Sequence, residues 1–175
     1  MNIPSFLRAL PICLLAGVAL LGQASQVQAQ AAKELPQMTL SATDVNGKKL
    51  ELSDYAGNTL LVSFFTAGCN LCARDLRLMR EFYVGNAKRH FVLLAINIDR
   101  SKQDYETYLQ LINLAVPKEQ RFPIVWRYAP GFKDNFGNIT SQPTHFVINP
   151  KGQLLWKREG TFQSEDWDNL WEALG

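Results

Sequence analysis

The stretch TLLVSFFTAGCNLCARDL, residues 59–76, decides the fold. Its first seven residues are almost continuously apolar, as expected of a strand covered on both faces. A short elbow, Thr66-Ala67-Gly68, then leads to Cys69 and Cys72, which open a charged segment with helical spacing. A strand–elbow–helix order puts Cys69 at a helix N-terminus, where unpaired N–H groups and the positive end of the helix dipole stabilise a thiolate. Cys69 is therefore the expected nucleophile. Cys72, inside the first turn, is the expected resolving thiol.

Three uses of such a pair compete. A structural disulfide stabilises by closing a loop, and one that spans two residues restricts the unfolded chain little. A zinc site needs about four ligands, and outside the CxxC only His90 and His145 remain as partners once Cys13 leaves with the N-terminal segment. Redox chemistry is the reading that remains, with a redox-active Cys69–Cys72 disulfide and neither a metal nor an organic cofactor.

The helix after the pair carries a second signal. At 100° per residue, Leu71, Asp75, Leu78, Met79 and Phe82 share one sector with Cys72 at its flank, while Arg74, Arg77 and Arg80 face the opposite way. Asp75 is then a half-buried carboxyl one turn below Cys72. Desolvation favours the neutral form of a carboxyl, which would suit Asp75 to take the proton of the resolving thiol. The alternative is that Asp75 leans to solvent and complements the helix dipole.

Further out, MTLSATDVNGKKLELSDYAG (38–57) reads as a hairpin about Asn46-Gly47, and FVLLAINI (91–98) as a second buried strand. SKQDYETYLQLINLA (101–115) reads as a helix capped at Ser101, and FPIVWRY (122–128) as a short strand. THFVI and LLWKRE form two strands about the NPKGQ turn, and a last helix spans about 164–174. The order is that of an α/β fold with a central mixed sheet.

At the N-terminus, Arg8 precedes the uncharged run ALPICLLAGVALLG, and small residues follow at Val27 and Ala29. Residues 1–29 read as a signal peptide cleaved after Ala29, with cleavage after Ala31 or an uncleaved anchor as alternatives. Residues 30–175 then form one domain. Of 18 basic residues only Arg8 is lost, so 17 face 16 acidic ones, a balance that does not suggest a nucleic-acid partner. Cys69 and Cys72 are the cysteines of the exported part, as befits an oxidising compartment such as the periplasm.

These features together resemble the TlpA/ResA group of exported thiol-disulfide oxidoreductases. The likeness rests on the strand leading into CxxC, on DVNGKKLELSDYAG (44–57) and on QPTHFVINPKG (142–152). It implies a thioredoxin-like three-layer fold, with a central mixed sheet flanked by helices, an N-terminal hairpin and a central strand-helix insertion. It also implies a cis Pro143 against the cysteines, a substrate contact at Gln142, and an acid three residues after the second cysteine, where Asp75 stands. The implied partners are disulfide-containing exported proteins, cytochrome c biogenesis clients among them, and a membrane thiol-disulfide transporter as electron donor. Two positions depart from the group: Gly68 replaces the usual tryptophan beside the substrate, and Arg77 replaces a helix-kinking proline.

Two other activities fit parts of the pattern. Thr66 and Cys69 spell the TxxC of a peroxiredoxin-type thiol peroxidase, although Val62 stands where that motif has proline. A Sco-like copper-delivery protein would use Cys69, Cys72 and a histidine, but the cysteine spacing there is longer. His145 reads as a strand histidine with a satisfied hydrogen bond, and His90 as a loop-end residue.

Overall fold

The computed structural model describes residues 34–86 and 88–175. The expected signal peptide lies outside them. Strands are formed by Leu40–Thr43 (β1), Lys49–Glu51 (β2), Thr59–Phe65 (β3), Phe91–Asn97 (β4), Ile124–Trp126 (β5), Lys133–Asp134 (β6), Thr144–Ile148 (β7) and Leu154–Glu159 (β8). The helices are Asn70–Gly85 (α1), Lys102–Ala115 (α2) and Ser164–Leu174 (α3). Among the described residues no helix is long and apolar enough to cross a membrane.

The main sheet runs β5-β4-β3-β7-β8, with β3, β4 and β5 parallel and β7 and β8 antiparallel to their neighbours. It is the expected mixed sheet. β3 is central, and all seven of its residues are buried. Strand alternation divides those residues between two cores. Leu61 and Phe65 face the helices and pack with Leu76, Met79 and Leu170, whereas Leu60, Val62 and Phe64 face the other way.

That second face is covered by the small antiparallel sheet β2-β1-β6, which completes three layers. The expected hairpin is present, but its turn is longer than Asn46-Gly47: the Asp44 carboxylate accepts from the backbone N–H groups of Asn46 and Lys48. β6 was not apparent from the sequence. The strand expected over 122–128 shortens to Ile124–Trp126, and just beyond it the Arg127 guanidinium holds Asp134 with two hydrogen bonds of 2.8 Å.

α1 is continuous from Asn70 to Gly85, so Arg77 leaves no interruption where proline was expected. Its buried face is Cys72, Asp75, Leu76 and Met79, with Phe82 half-buried. The expected sector was rotated from this one. Leu71 and Leu78 point outward, at 51% and 36% exposure, because the helix lays the Cys72–Leu76–Met79 stripe against β3 and β4. Arg74 and Arg77 are exposed as expected, but Arg80 is half-buried, with its guanidinium over the Phe122 ring at 5.6 Å.

Phe64 packs edge-on against Phe136 and Phe146, with centroids 5.2 and 5.5 Å away, and thereby joins the main sheet to the 132–139 segment. Phe64→Ala should cost about 3–5 kcal/mol in urea unfolding of the oxidised protein. A loss below about 1 kcal/mol would show that this aromatic cluster does not hold the layers together.

Candidate active site

Cys69 is the N-cap of α1, with φ −88° and ψ 103°, and its Sγ accepts the N–H of Cys72 at 3.0 Å. The two sulfurs are joined in a disulfide, with Cα atoms 5.2 Å apart. The pair is not symmetric. Cys69 is half-buried at the elbow, whereas Cys72 is 1% exposed and belongs to the core under the helices.

The elbow is tied from three directions. Cys69 N–H donates to the Thr66 carbonyl at 3.2 Å, and Ala67 N–H donates to Asp99 Oδ2 at 2.8 Å. That same Asp99 oxygen accepts from Asn97 Nδ2 at 2.6 Å, and the Asp99 carbonyl accepts from Trp126 Nε1 at 2.8 Å. Thr66 Oγ1 meets Gln142 Oε1 at 2.7 Å, which brings the 141–143 segment to the cysteine elbow. The Gln142-Pro143 peptide is cis, as the resemblance implied. Pro143 is buried and Gln142 is exposed.

Gly68 is exposed in the elbow and does not have a positive φ. A Cβ built there meets no heavy atom within 4 Å, so the elbow does not depend on glycine and the position beside Cys69 is open. The Thr66 hydroxyl of the TxxC pattern is engaged with Gln142.

Asp75 is fully buried, at 1% exposure, rather than half-buried or turned to solvent. Its Oδ2 accepts the N–H of Phe162 at 2.8 Å and lies 3.2 Å from His145 Nε2. Both contacts fall on Oδ2, so only half of this buried carboxylate is hydrogen-bonded. Among the described residues Oδ1 has only the Arg74 Nε, at 3.6 Å. His145 is 1% exposed on β7 and has its hydrogen bond through Nε2, as expected of a strand histidine, but its Nδ1 has no partner among the described residues.

Sequence reading brought out Cys69, Cys72, Asp75, Gln142, Pro143 and Gly68, and missed Asp99 and Phe162. An acid directly after the apolar run of β4 was a visible signal for Asp99. Phe162 contributes a backbone N–H, which no side-chain pattern reveals. Among the described residues no cluster of three or more His, Cys, Asp and Glu is arranged to hold a metal ion.

A disulfide at the start of the helix that follows a central strand, with the cis Gln142-Pro143 step entering the neighbouring strand of a mixed sheet, defines a thioredoxin-fold thiol-disulfide oxidoreductase of the TlpA/ResA type. The AhpC/TSA family profile matches residues 31–157, and the chain belongs to that family. It is 28% identical over 132 residues to the thiol-disulfide oxidoreductase ResA of Geobacillus kaustophilus, covering 75% of this chain and 72% of that one.

Among solved structures, a thiol:disulfide interchange protein of the thioredoxin family from Chlorobium tepidum superposes with a TM-score of 0.64 at 22% identity, over 83% of this chain and 99% of that one. StoA of Bacillus subtilis superposes with a TM-score of 0.56 at 21% identity, over 77% and 96% respectively.

Removing the Asp99 carboxylate leaves the Ala67 N–H without its partner. Asp99→Ala should cost about 1–2 kcal/mol in unfolding and speed amide hydrogen exchange at Ala67. Unchanged exchange at Ala67 would show that the elbow is held by other groups.

Proposed function

We propose that this oxidoreductase is exported and reduces or exchanges disulfides in other exported proteins. The observation that carries the reading is the unequal setting of the two sulfurs, one half-buried at the helix start and the other at 1% exposure in the core. In this scheme the Cys69 thiolate attacks a substrate disulfide and forms a mixed disulfide. Cys72 then attacks Cys69 Sγ, releases the reduced substrate and restores the pair. Asp75, one turn further along the same buried face, receives the Cys72 proton.

The substrate lies across Gln142, Pro143 and the open position at Gly68, where it pairs with extended backbone. Cytochrome c precursors, which carry paired thiols, are the proposed clients. A membrane thiol-disulfide transporter in the same compartment returns electrons to the pair. The scheme needs no organic cofactor and no nucleic acid. The N-terminal pattern of residues 1–29 and the use of Cys69 and Cys72 support export to the periplasm.

Two measurements test the roles. In the reduced native protein near neutral pH, iodoacetamide should label Cys69 alone, and equal labelling of Cys72 would overturn the assignment. Asp75→Asn should slow the resolving step by about 10²-fold and move the titration of Cys72, followed by thiolate absorbance. An unmoved Cys72 titration would remove Asp75 from the mechanism.

A further inference from the structure

Asp75 does not stand alone beneath the cysteines. Its partner, His145, comes from β7, 70 residues away in sequence, and both side chains are buried, at 2% and 0% exposure. Phe162 N–H already donates to Asp75 Oδ2, so the 3.2 Å contact with His145 Nε2 is most favourable when that nitrogen carries a proton. Nδ1 of the neutral ring is then a bare acceptor. Among the described residues it has no partner, and the Ser63 hydroxyl, on the cross-strand neighbour of His145, has none either.

Leaving a buried polar atom unpaired is unfavourable. A glutamine or an asparagine could donate to Asp75 as well. What imidazole adds is a second nitrogen that can take up a proton near neutral pH.

We propose that His145 is a positioning residue for the exchange: its Nε2–H holds Asp75 Oδ2, leaves Oδ1 to receive the Cys72 proton, and makes the resolving step depend on the charge of the imidazole. The inference rests on the oxidoreductase scheme above and deepens it. In the resolving step the Cys72 sulfur forms a bond to Cys69 Sγ and the bond from Cys69 to the substrate sulfur breaks. The electron pair leaves on the substrate sulfur, which takes a proton from water, and the Cys72 proton passes to Asp75 Oδ1. No further oxidant or reductant enters.

With neutral His145, Asp75 is a carboxylate held by two neutral donors. Protonation at Nδ1 turns the contact into an ion pair, which stabilises the carboxylate and makes it a poorer base. The other polar and charged groups facing this site are Cys72 and Arg74 from α1, Ser63 from β3, and Arg158 from β8, the cross-strand neighbour of His145. Arg158 is held charged by its hydrogen bonds to Asp166 and Glu165 of α3, so it does not switch over the working range.

The test uses the reduced full chain and an aromatic disulfide, 5,5′-dithiobis(2-nitrobenzoate). The first thiolate released reports attack by Cys69 and the second reports resolution by Cys72. The second rate is followed from about pH 5 to 8, where imidazoles titrate, in the wild type, in His145→Gln and in Asp75→Asn with and without His145→Gln. The wild-type rate should rise about tenfold more across this range than that of His145→Gln, whose amide can donate but cannot change charge. Adding His145→Gln to Asp75→Asn should slow resolution no further.

The ¹⁵N signals of the His145 imidazole in the wild type, which do not require any variant to fold and are told apart from those of the exposed His90, should change in step with the resolving rate. Signals that stay fixed, a pH profile unaltered in His145→Gln, or additive losses in the double variant would overturn the proposal. Reduction of insulin by the wild type is a separate readout: its absence would sink the proposed reductive function and leave the resolving step measured with the aromatic disulfide to decide the role of His145.

Discussion

A carboxylate that is 1% exposed has to be given partners by the chain around it, and Asp75 draws them from two distant segments. His145 comes from β7 and the Phe162 N–H from the segment leading into α3. One oxygen thereby fixes the first turns of α1 against the sheet and against the C-terminal part of the fold. Were either donor lost, the buried oxygen would carry an uncompensated share of its charge, a cost of several times the thermal energy. The same contacts set the depth of Cys72, one turn earlier on the same face. The helix is held at both levels, by apolar packing of Leu76 and Met79 and by the hydrogen bonds that end on Asp75 Oδ2.

The elbow shows the complementary arrangement. Here the tether is the half-buried carboxylate of Asp99, which follows β4 and reaches across to the backbone of Ala67. Its own position is held by Asn97, which is fully buried, and by the indole of Trp126 through the Asp99 carbonyl. Parallel pairing of β3 with β4 brings Phe65 beside Asn97, so the two strand ends arrive together and the elbow is fastened where it leaves the sheet. Thr66 then links the elbow to Gln142 on the other side. The cysteines thus sit between two anchored segments, while Gly68 between them stays open.

Much of this was legible in the sequence where one physical cause dominates. The strands Thr59–Phe65 and Phe91–Asn97 were plain because both faces of each are covered, which leaves a continuous apolar run. The last helix, expected over about 164–174, is Ser164–Leu174. The face of α1 was only half legible. The expected sector held Asp75 and Met79 with Cys72 at its flank, but Leu71 and Leu78 drew it toward themselves, and the tertiary arrangement turns those two outward and buries Leu76 instead. β6 was invisible because two residues carry no period, and its pairing with β1 is supported from outside the strand by Asn135, which bonds the Thr39 N–H. The partnership of Asp75 with His145 joins residues with no local relation, so only the fold could reveal it.

The spacing of the two cysteines itself follows from helix capping. An N-cap side chain accepts the N–H of the residue three positions on, which ordinarily selects serine, threonine or aspartate. In α1 the N-cap is Cys69, and the N–H its sulfur accepts belongs to Cys72. The geometry that caps the helix is therefore the geometry that brings the second cysteine to the first. Moving the second cysteine by one residue would rotate it about 100° around the axis, away from the capping sulfur and out of the buried stripe that continues through Asp75. Two intervening residues are thus the number at which the cap, the disulfide and the buried acid fall on one line of the helix.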